Sequence, residues 1–408
     1  MKIVICAVPY SPNLGDGVIY ENIRQLLTEL APAAHISALD IAGRDGYDAS
    51  TLSRRPLINR VPGRLRPSVV CAYFCLQYWW RWRHKWAEQL ADADLIVVGG
   101  GQLFMDAHLN FPIKLFLLSR TIRAIGKPGK VAIFSVGVSK RMSKIGANLF
   151  QRAVRNMAPM RISVRDLLSA QHMKKYLAID GDVCITPDPA IYSQRTFAQS
   201  GLTAHTGNVL GICISCPLEV NHGIKSEAAY GLQISRFFEN LARQAMAAGY
   251  VVKLFTNGAP EDEAFKDALA AGLGMQQIVN MARASAPAEL VANISTCDYI
   301  IAHRLHASIV AYALDIPAIG LNWDVKVKSF FELIGRSRFF ISSPIPDVED
   351  TLDLLSHARE SCAGTGRARL TLRLKKEVSA LLNSSVYQGS AATTTLWTAV
   401  NADYEKII

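Results

Sequence analysis

Short apolar runs recur along the chain and alternate with longer stretches whose apolar positions fall at helical spacing. Residues 2–8, Asp94–Val98, Lys130–Gly137 and Arg161–Val164 read as buried strands, as do Val209–Ser215, Val251–Phe255, Gln277–Asn280, Tyr299–Ala302 and Ala318–Leu321. Between them, Val18–Leu30, about Lys144–Asn156, Leu167–Leu177, Ala228–Ala248, Glu261–Ala271, Ser285–Ser295 and Ala307–Leu314 read as helices. Strand and helix in alternation predict parallel α/β sheets with helices on their faces. A polar stretch rich in Gly, Ser and Thr, residues 193–207, separates two such series and reads as a linker. The expected organisation is an α/β lobe over residues 1–195, a second over 208–345, and a helical tail over 346–408. No internal repeat, heptad or low-complexity region interrupts it.

The chemistry gathers at strand ends, where parallel sheets bind their ligands. The strand Tyr299–Ala302 runs into His303-Arg304-Leu305-His306, and a helix follows. Arg304 is a fixed cation whose planar donor fork suits a carboxylate or phosphate. His306 exchanges a proton near neutral pH. Together they suit an anionic substrate that must be protonated. The plainer alternative is an Arg that caps a helix and an interior His. Asn13-Leu14-Gly15-Asp16-Gly17 joins the first strand to the first helix, either as an anion cradle at a helix N-terminus or as a tight turn capped by Asp16. Gly99-Gly100-Gly101 ends another strand and permits close backbone approach by a ligand or a neighbouring helix. Arg165-Asp166 and Asp188-Pro189-Ala190 close the first series.

Asp298, Arg304-Leu305-His306-Ala307, Ile316-Pro317 and Trp323-Asp324-Val325-Lys326-Val327 form a pattern that resembles the polysaccharide pyruvyl transferase family. The glycine triplet, Ser163-Val164-Arg165-Asp166 and Asp188-Pro189-Ala190 resemble that family too. Its Gly-Asn-x-Gly-Asp-Glu is kept here only as Asn13, Gly15 and Asp16, with Pro12 and Gly17 at the flanks. The resemblance runs from Asn13 to about Gly335. It implies two Rossmann-like lobes with a deep cleft between them, the GT-B-like arrangement, with the helical tail packed back on the first lobe. It also implies transfer of a pyruvyl group from phosphoenolpyruvate to sugar hydroxyls of a polysaccharide or its lipid-linked precursor, forming a ketal. On that reading the catalytic residues are His306, Arg304 and Arg165. Lys326, Asn13, Asp16, Gly100, Gly101 and Asp188 bind substrate, with Asp16, Asp188 and Asp324 as unranked candidate bases. The donor is a substrate and the mechanism calls for no metal or cofactor. Two alternatives stay open: a nucleotide-sugar-dependent glycosyltransferase and a non-catalytic member of the fold. The lack of any Glu between Asp298 and Asp324 counts against the first.

Composition narrows the setting. With 408 residues, half of them hydrophobic, the chain can bury two full cores. The eight cysteines are scattered through apolar runs and read as free thiols of a reducing compartment. Cys213-x-x-Cys216 finds no second pair to complete a metal site. The N-terminal apolar run is too short for a signal peptide, and no stretch reaches the length of a membrane span. The expected location is the cytoplasm, at most at the inner face of a membrane. The net charge is +10, and much of the excess is local: residues 49–86 hold eight Lys or Arg and no Asp or Glu. That distribution does not call for nucleic acid. After Pro62-Gly63, residues 69–86 read as one helix that ends in alternating Trp and Arg or Lys. Trp beside cations is the composition of helices at membrane surfaces, although a helix packed on the first lobe would look the same.

Overall fold

The structure, a computed structural model, describes residues 1–47, 65–179, 181–198, 207–217, 227–274, 278–322, 324–359 and 365–386. Trp323, the Pro62-Gly63 break, most of the polar stretch 193–207 and the end of the tail lie outside the described residues.

Two six-stranded parallel sheets are present. The first contains β1 (Lys2–Ala7), β2 (His35–Asp40), β3 (Leu95–Gly99), β4 (Val131–Val136), β5 (Arg161–Val164) and β6 (Cys184–Ile185), in the order β2-β1-β3-β4-β5-β6. The second contains β7 (Val209–Cys213), β8 (Val251–Phe255), β9 (Ile278–Asn280), β10 (Tyr299–Ala302), β11 (Ala318–Leu321) and β12 (Phe340–Ile341), in the order β12-β11-β10-β7-β8-β9. Strand order reverses between β1 and β3 in one sheet and between β7 and β10 in the other. These switch points are where open parallel sheets take ligands.

The helices of the first lobe are α1 (Leu14–Leu30), α2 (Arg66–Gln77), α3 (Arg83–Ala91), α4 (Asn110–Ala124), α5 (Lys144–Met157), α6 (Leu167–Leu177) and α7 (Ser193–Thr196). Those of the second are α8 (Glu227–Ala247), α9 (Pro260–Leu273), α10 (Pro287–Ser295), α11 (Leu305–Ala313), α12 (Val325–Leu333) and α13 (Val348–Ala358), before the terminal α14 (Thr365–Val386). This is the two-lobed α/β architecture expected. The sequence reading passed over α4, α12 and the short strands β2, β6 and β12.

One apolar cluster spans both lobes. It joins α1 and the 3-10 turn Pro189–Tyr192 to α10, α11 and α12, and takes in Leu370, Leu374 and Val378 of α14. The terminal helix is also pinned electrostatically to the first lobe. Arg161 Nε and Nη2 donate to the two carboxylate oxygens of Glu377 at 2.6 and 2.7 Å, and both side chains are buried. Arg373 donates to the Ile185 carbonyl and Lys375 pairs with Glu29.

α2 and α3 are joined by one π-helical turn, Tyr78–Trp82, into an unbroken helix. Its buried positions are Val70, Phe74, Tyr78, Trp82, Trp86 and Leu90, each four residues after the last. A pure α-helix advances ~3.6 residues per turn, so such a stripe would drift off one face. A π turn takes more residues per turn and brings the stripe back. Trp82 then stacks on Phe74 and on Trp86, with ring centroids 5.8 and 5.2 Å apart. The helix therefore packs on the first lobe through four of its seven aromatic residues. Its other face is exposed.

Candidate functional site

The site forms where the carboxyl ends of β1 and β3 meet those of β7 and β10. Asn13 is extended and caps α1, accepting from Gly15 N at 3.4 Å. The cap is thus Asn13 and not Asp16. The Leu14 N–H donates across the lobes to the Asn257 carbonyl, and the Asp16 N–H to the Asn13 carbonyl. Three N–H groups at this helix start are therefore already used, which removes the anion-cradle reading of the turn. What the turn supplies instead is a carboxylate and a gap. Asp16 projects from the first helical turn, and Gly15 leaves the space above its Cα to the ring of His306, where a Cβ would collide with Nδ1.

His306 sits in the first turn of α11 and is buried. Its Nε2 lies 3.8 Å from Asp188 Oδ2 of the first lobe. That is beyond hydrogen-bond range, and neither atom has a hydrogen-bond partner among the described residues. Asp188 Oδ1 caps the following 3-10 turn by accepting from Ala190 N. Arg165 Nη1 stands 3.7 Å from Asp188 Oδ2, and Arg165 Nε 3.3 Å from Asp166. The Arg165 guanidinium lies over Gly137, where an added Cβ would meet its Cζ at 2.8 Å. Ser135 holds the Asp188 turn in place: its Oγ donates to the Thr186 and Pro187 carbonyls. It does so from left-handed backbone (φ 48°) at the register break in β4, a local cost of the kind found at functional sites.

Arg304 precedes α11, and its Nε and Nη2 both donate to Asp262 Oδ2, at 2.8 and 2.6 Å. Asp262 is fully buried at the start of α9 and also accepts from Cys216 N. The Cys213-x-x-Cys216 spacing thus belongs to a strand end that steadies this carboxylate, and burial pushes the Cys213 thiol up. Lys326, in the first turn of α12, reaches back to the first lobe. Its Nζ is 3.2 Å from Gln102 Oε1 and 3.5 Å from Asp324, while Gln102 Nε2 donates to Ser139. Asp324 caps α12 through the Lys326 N–H.

The charges of these groups act on one another. Burial lowers the Lys326 pKa; Asp324 opposes that, and Arg165 and Arg304 add to it by repulsion. Three cations therefore share one region. Burial raises the Asp16 carboxyl above its usual value, against the pull of His306, Ser11 and Lys326. Burial also acts to raise Asp188, but His306, Arg165 and the Ala190 N–H outweigh it and hold that carboxyl low. Asp324 is likewise held low, burial being outweighed by Lys326 and Arg165.

His306, Arg304, Arg165, Lys326, Asp16 and Asp188 thus come together from both lobes. Gly101 lies against the group, since a Cβ there would be 3.1 Å from Asp16 Oδ1. Gly100 does not face it: with φ at +77°, it gives way to Ile19 of α1, a helix-packing role. Asp298 is structural and accepts from Val209 N. Gln102, Ser135, Gly137 and Asp262 went unread in the sequence. For Gln102 its place directly after the glycine triplet was an available signal, whereas nothing distinguished Asp262 within Glu261-Asp262-Glu263. Among the described residues no helix is long and apolar enough to cross a membrane.

A family model described as polysaccharide pyruvyl transferase matches residues 13–325. No curated protein matches the sequence. Among solved structures, the fold is similar to UDP-GlcNAc 2-epimerase of Methanocaldococcus jannaschii in complex with UDP-GlcNAc and UDP, with TM-score 0.54 and 8% identity over 94% of this chain and 99% of that one. It is also similar to Anabaena HepE in complex with UDP (0.53, 12%, 94% and 100%). A third is the α,α-trehalose-phosphate synthase (UDP-forming) of Burkholderia vietnamiensis (0.51, 12%, 94% and 99%). At such identities the likeness establishes the GT-B-like fold alone.

Proposed function

The chain belongs to the polysaccharide pyruvyl transferase family, and from that premise we propose that it transfers a pyruvyl group from phosphoenolpyruvate to two hydroxyls of a saccharide, forming a cyclic ketal. The observation that carries this reading is that Arg165 and His306 both face Asp188 Oδ2, at 3.7 and 3.8 Å, with Arg304 two residues before His306 and Lys326 reaching across to Gln102 beside the glycine triplet. Phosphoenolpyruvate brings about three negative charges, and fixed cations in a partly dry site are suited to hold them.

In this reading His306 gives a proton to C3 of the enol, leaving C2 electron-poor. The first sugar hydroxyl attacks C2 and loses its proton to a base. Phosphate leaves with the proton held by the base, and the second hydroxyl closes the ring by giving its proton back to His306. Of the three carboxylates considered as base, Asp16 now ranks first. Asp188 and Asp324 are held low by cations, whereas burial raises the Asp16 carboxyl, which stands beside Gly101 at the glycine triplet. Asp188 faces His306 and orients its ring. Asp262 holds the Arg304 fork.

The acceptor class that suits the family is a polysaccharide or its lipid-linked precursor. Thermal-shift titration with phosphoenolpyruvate, pyruvate and UDP tests the donor, and product analysis for a ketal tests the reaction. Phosphoenolpyruvate should raise the melting temperature by mass action, and pyruvate far less. A shift with UDP and none with phosphoenolpyruvate would move the chain to nucleotide-sugar-dependent glycosyl transfer.

A further inference from the structure

The helix from Arg66 to Ala91 buries one stripe and leaves its other face bare. On that face Leu65, Leu76 and Trp79 are 57%, 55% and 54% exposed, and Trp80 is 83% exposed. Val69 and Tyr73 are exposed beside them. Over half of each of four large apolar side chains in water, on one helix, is more than scattered surface residues explain. Cations flank the apolar line. Arg83 lies over the Trp79 ring, 4.9 Å from its centroid, and Arg81 and Lys85 stand on the neighbouring turn. Asp45 pairs with both Arg81 and Lys85, so one acid faces two bases. From Leu65 to Trp86 the helix itself carries no acid.

We infer that this face rests on an anionic lipid surface. The helix is roughly 40 Å long at ~1.5 Å per residue, and it is convex, so it offers no groove to a peptide. A second copy docked with its two-fold axis at the most exposed residue, Trp80, would crowd Arg81, Arg83 and Lys85 of both copies together. A bilayer meets both features: Trp and Leu enter the headgroup boundary, and the cations meet lipid phosphates.

The face is also tied to the catalytic region. Trp82, on the buried side of the same helix, packs against Gly43, where an added Cβ would strike its indole nitrogen. Four residues on, the Tyr47 hydroxyl reaches Gly17 of α1, beside Asp16. A lipid surface at Trp79 and Trp80 would therefore lie one loop away from the first-lobe side of the cleft. If the proposed reaction is correct, this suits an acceptor sugar carried on a lipid. The surface itself does not depend on that reaction.

The test is co-sedimentation of the full chain with phosphatidylcholine vesicles containing about a third phosphatidylglycerol, at low and high salt. Binding is expected at low salt and should weaken as salt screens it. Trp80→Glu with Leu76→Glu, and separately Arg81→Gln with Arg83→Gln and Lys85→Gln, should each weaken it at least about tenfold. Leu76, Trp80, Arg81 and Arg83 are exposed, Lys85 is half-buried at the surface, and the lost pairs with Asp45 are surface ion pairs worth little, so both variants should melt close to wild type and keep the wild-type shift with phosphoenolpyruvate. No sedimentation at low salt would overturn the inference. So would equal binding to vesicles of phosphatidylcholine alone, or binding unchanged in both variants. Concentration-dependent dimers abolished by Trp80→Glu would assign the face to a second copy instead.

Discussion

His306 Nε2 and Asp188 Oδ2 face each other at 3.8 Å across the two lobes, both buried and both without a hydrogen bond among the described residues. The gap is about one step wider than a charge-assisted hydrogen bond. Catalytic pairs are often this loose before substrate binds and tighten in the complex. A small closure of the lobes would bring imidazole and carboxylate into contact.

Replacing His306 tests the acid. His306→Gln keeps size and a hydrogen bond but carries no exchangeable ring proton, so turnover should fall by about 10²-fold or more. The thermal shift with phosphoenolpyruvate should persist, because Arg165, Arg304 and Lys326 remain. Near-normal turnover in this variant would make His306 structural.

Gly15 tests the fit of the ring. Gly15→Ala puts a methyl group where the His306 Nδ1 stands, so the ring must leave its present position opposite Asp188. Turnover should fall by an order of magnitude or more, as expected when a reacting group is displaced by about 1 Å. Circular dichroism should show α1 intact, since Ala favours a helix. Wild-type turnover would mean that the ring position in this structure is not the working one.

Asp262 tests how Arg304 is held. Asp262→Ala leaves a nearly buried guanidinium without its carboxylate and should destabilise the protein by about 3–5 kcal/mol. Asp262→Asn removes the charge and keeps one acceptor oxygen, enough for Arg304 or for Cys216 N but not for both. Its expected signature is a higher KM for phosphoenolpyruvate with a smaller change in kcat. Equal stability of Asp262→Ala and wild type in urea would refute the arrangement.

Glu377 tests the terminal strap. Glu377→Ala strips Arg161 of a bidentate partner in a buried setting and should cost about 3–5 kcal/mol in urea unfolding. Arg161→Met combined with Glu377→Leu removes both charges and should recover most of that loss. If the double variant is no better than Glu377→Ala, the pair's role is not electrostatic.

Asp188 gives a pH signature. Its carboxyl is held below the usual value because His306, Arg165 and the Ala190 N–H together outweigh burial. A depressed folded-state pKa adds stability above the unfolded value of about 3.9, and that stability is lost as pH falls through the folded pKa. Asp188→Asn should therefore melt below wild type at neutral pH, and the gap should close as the pH drops below about 4. A gap that widens on acidification contradicts the assignment.

Much of this protein was legible in one dimension. Strands buried on both faces are continuous apolar runs, so β3, β4, β10 and β11 were found within a residue or two. Arg304 and His306 were found because a polar cluster directly after such a run has to lie at the sheet's ligand-binding end. What escaped was whatever lacked a contrast between faces. Helix α4 is buried on most sides, with Ile113, Lys114, Leu115, Leu117 and Leu118 all covered, so it shows no apolar stripe. The edge strand β2 is only half covered, and α12 begins directly at the cap residue Asp324.

The sequence by itself determined which residue types stand at the strand ends, because periodicity and turn chemistry are local. Only the tertiary structure decided which of them meet. His306 finds Asp188 and Gly15, Arg304 finds Asp262, and Lys326 finds Gln102, 224 residues away. It likewise split the tryptophans, burying Trp82 and Trp86 and leaving Trp79 and Trp80 outside. Those pairings come from two sheets packed with their switch points face to face, and no spacing along the chain encodes a distance across that junction.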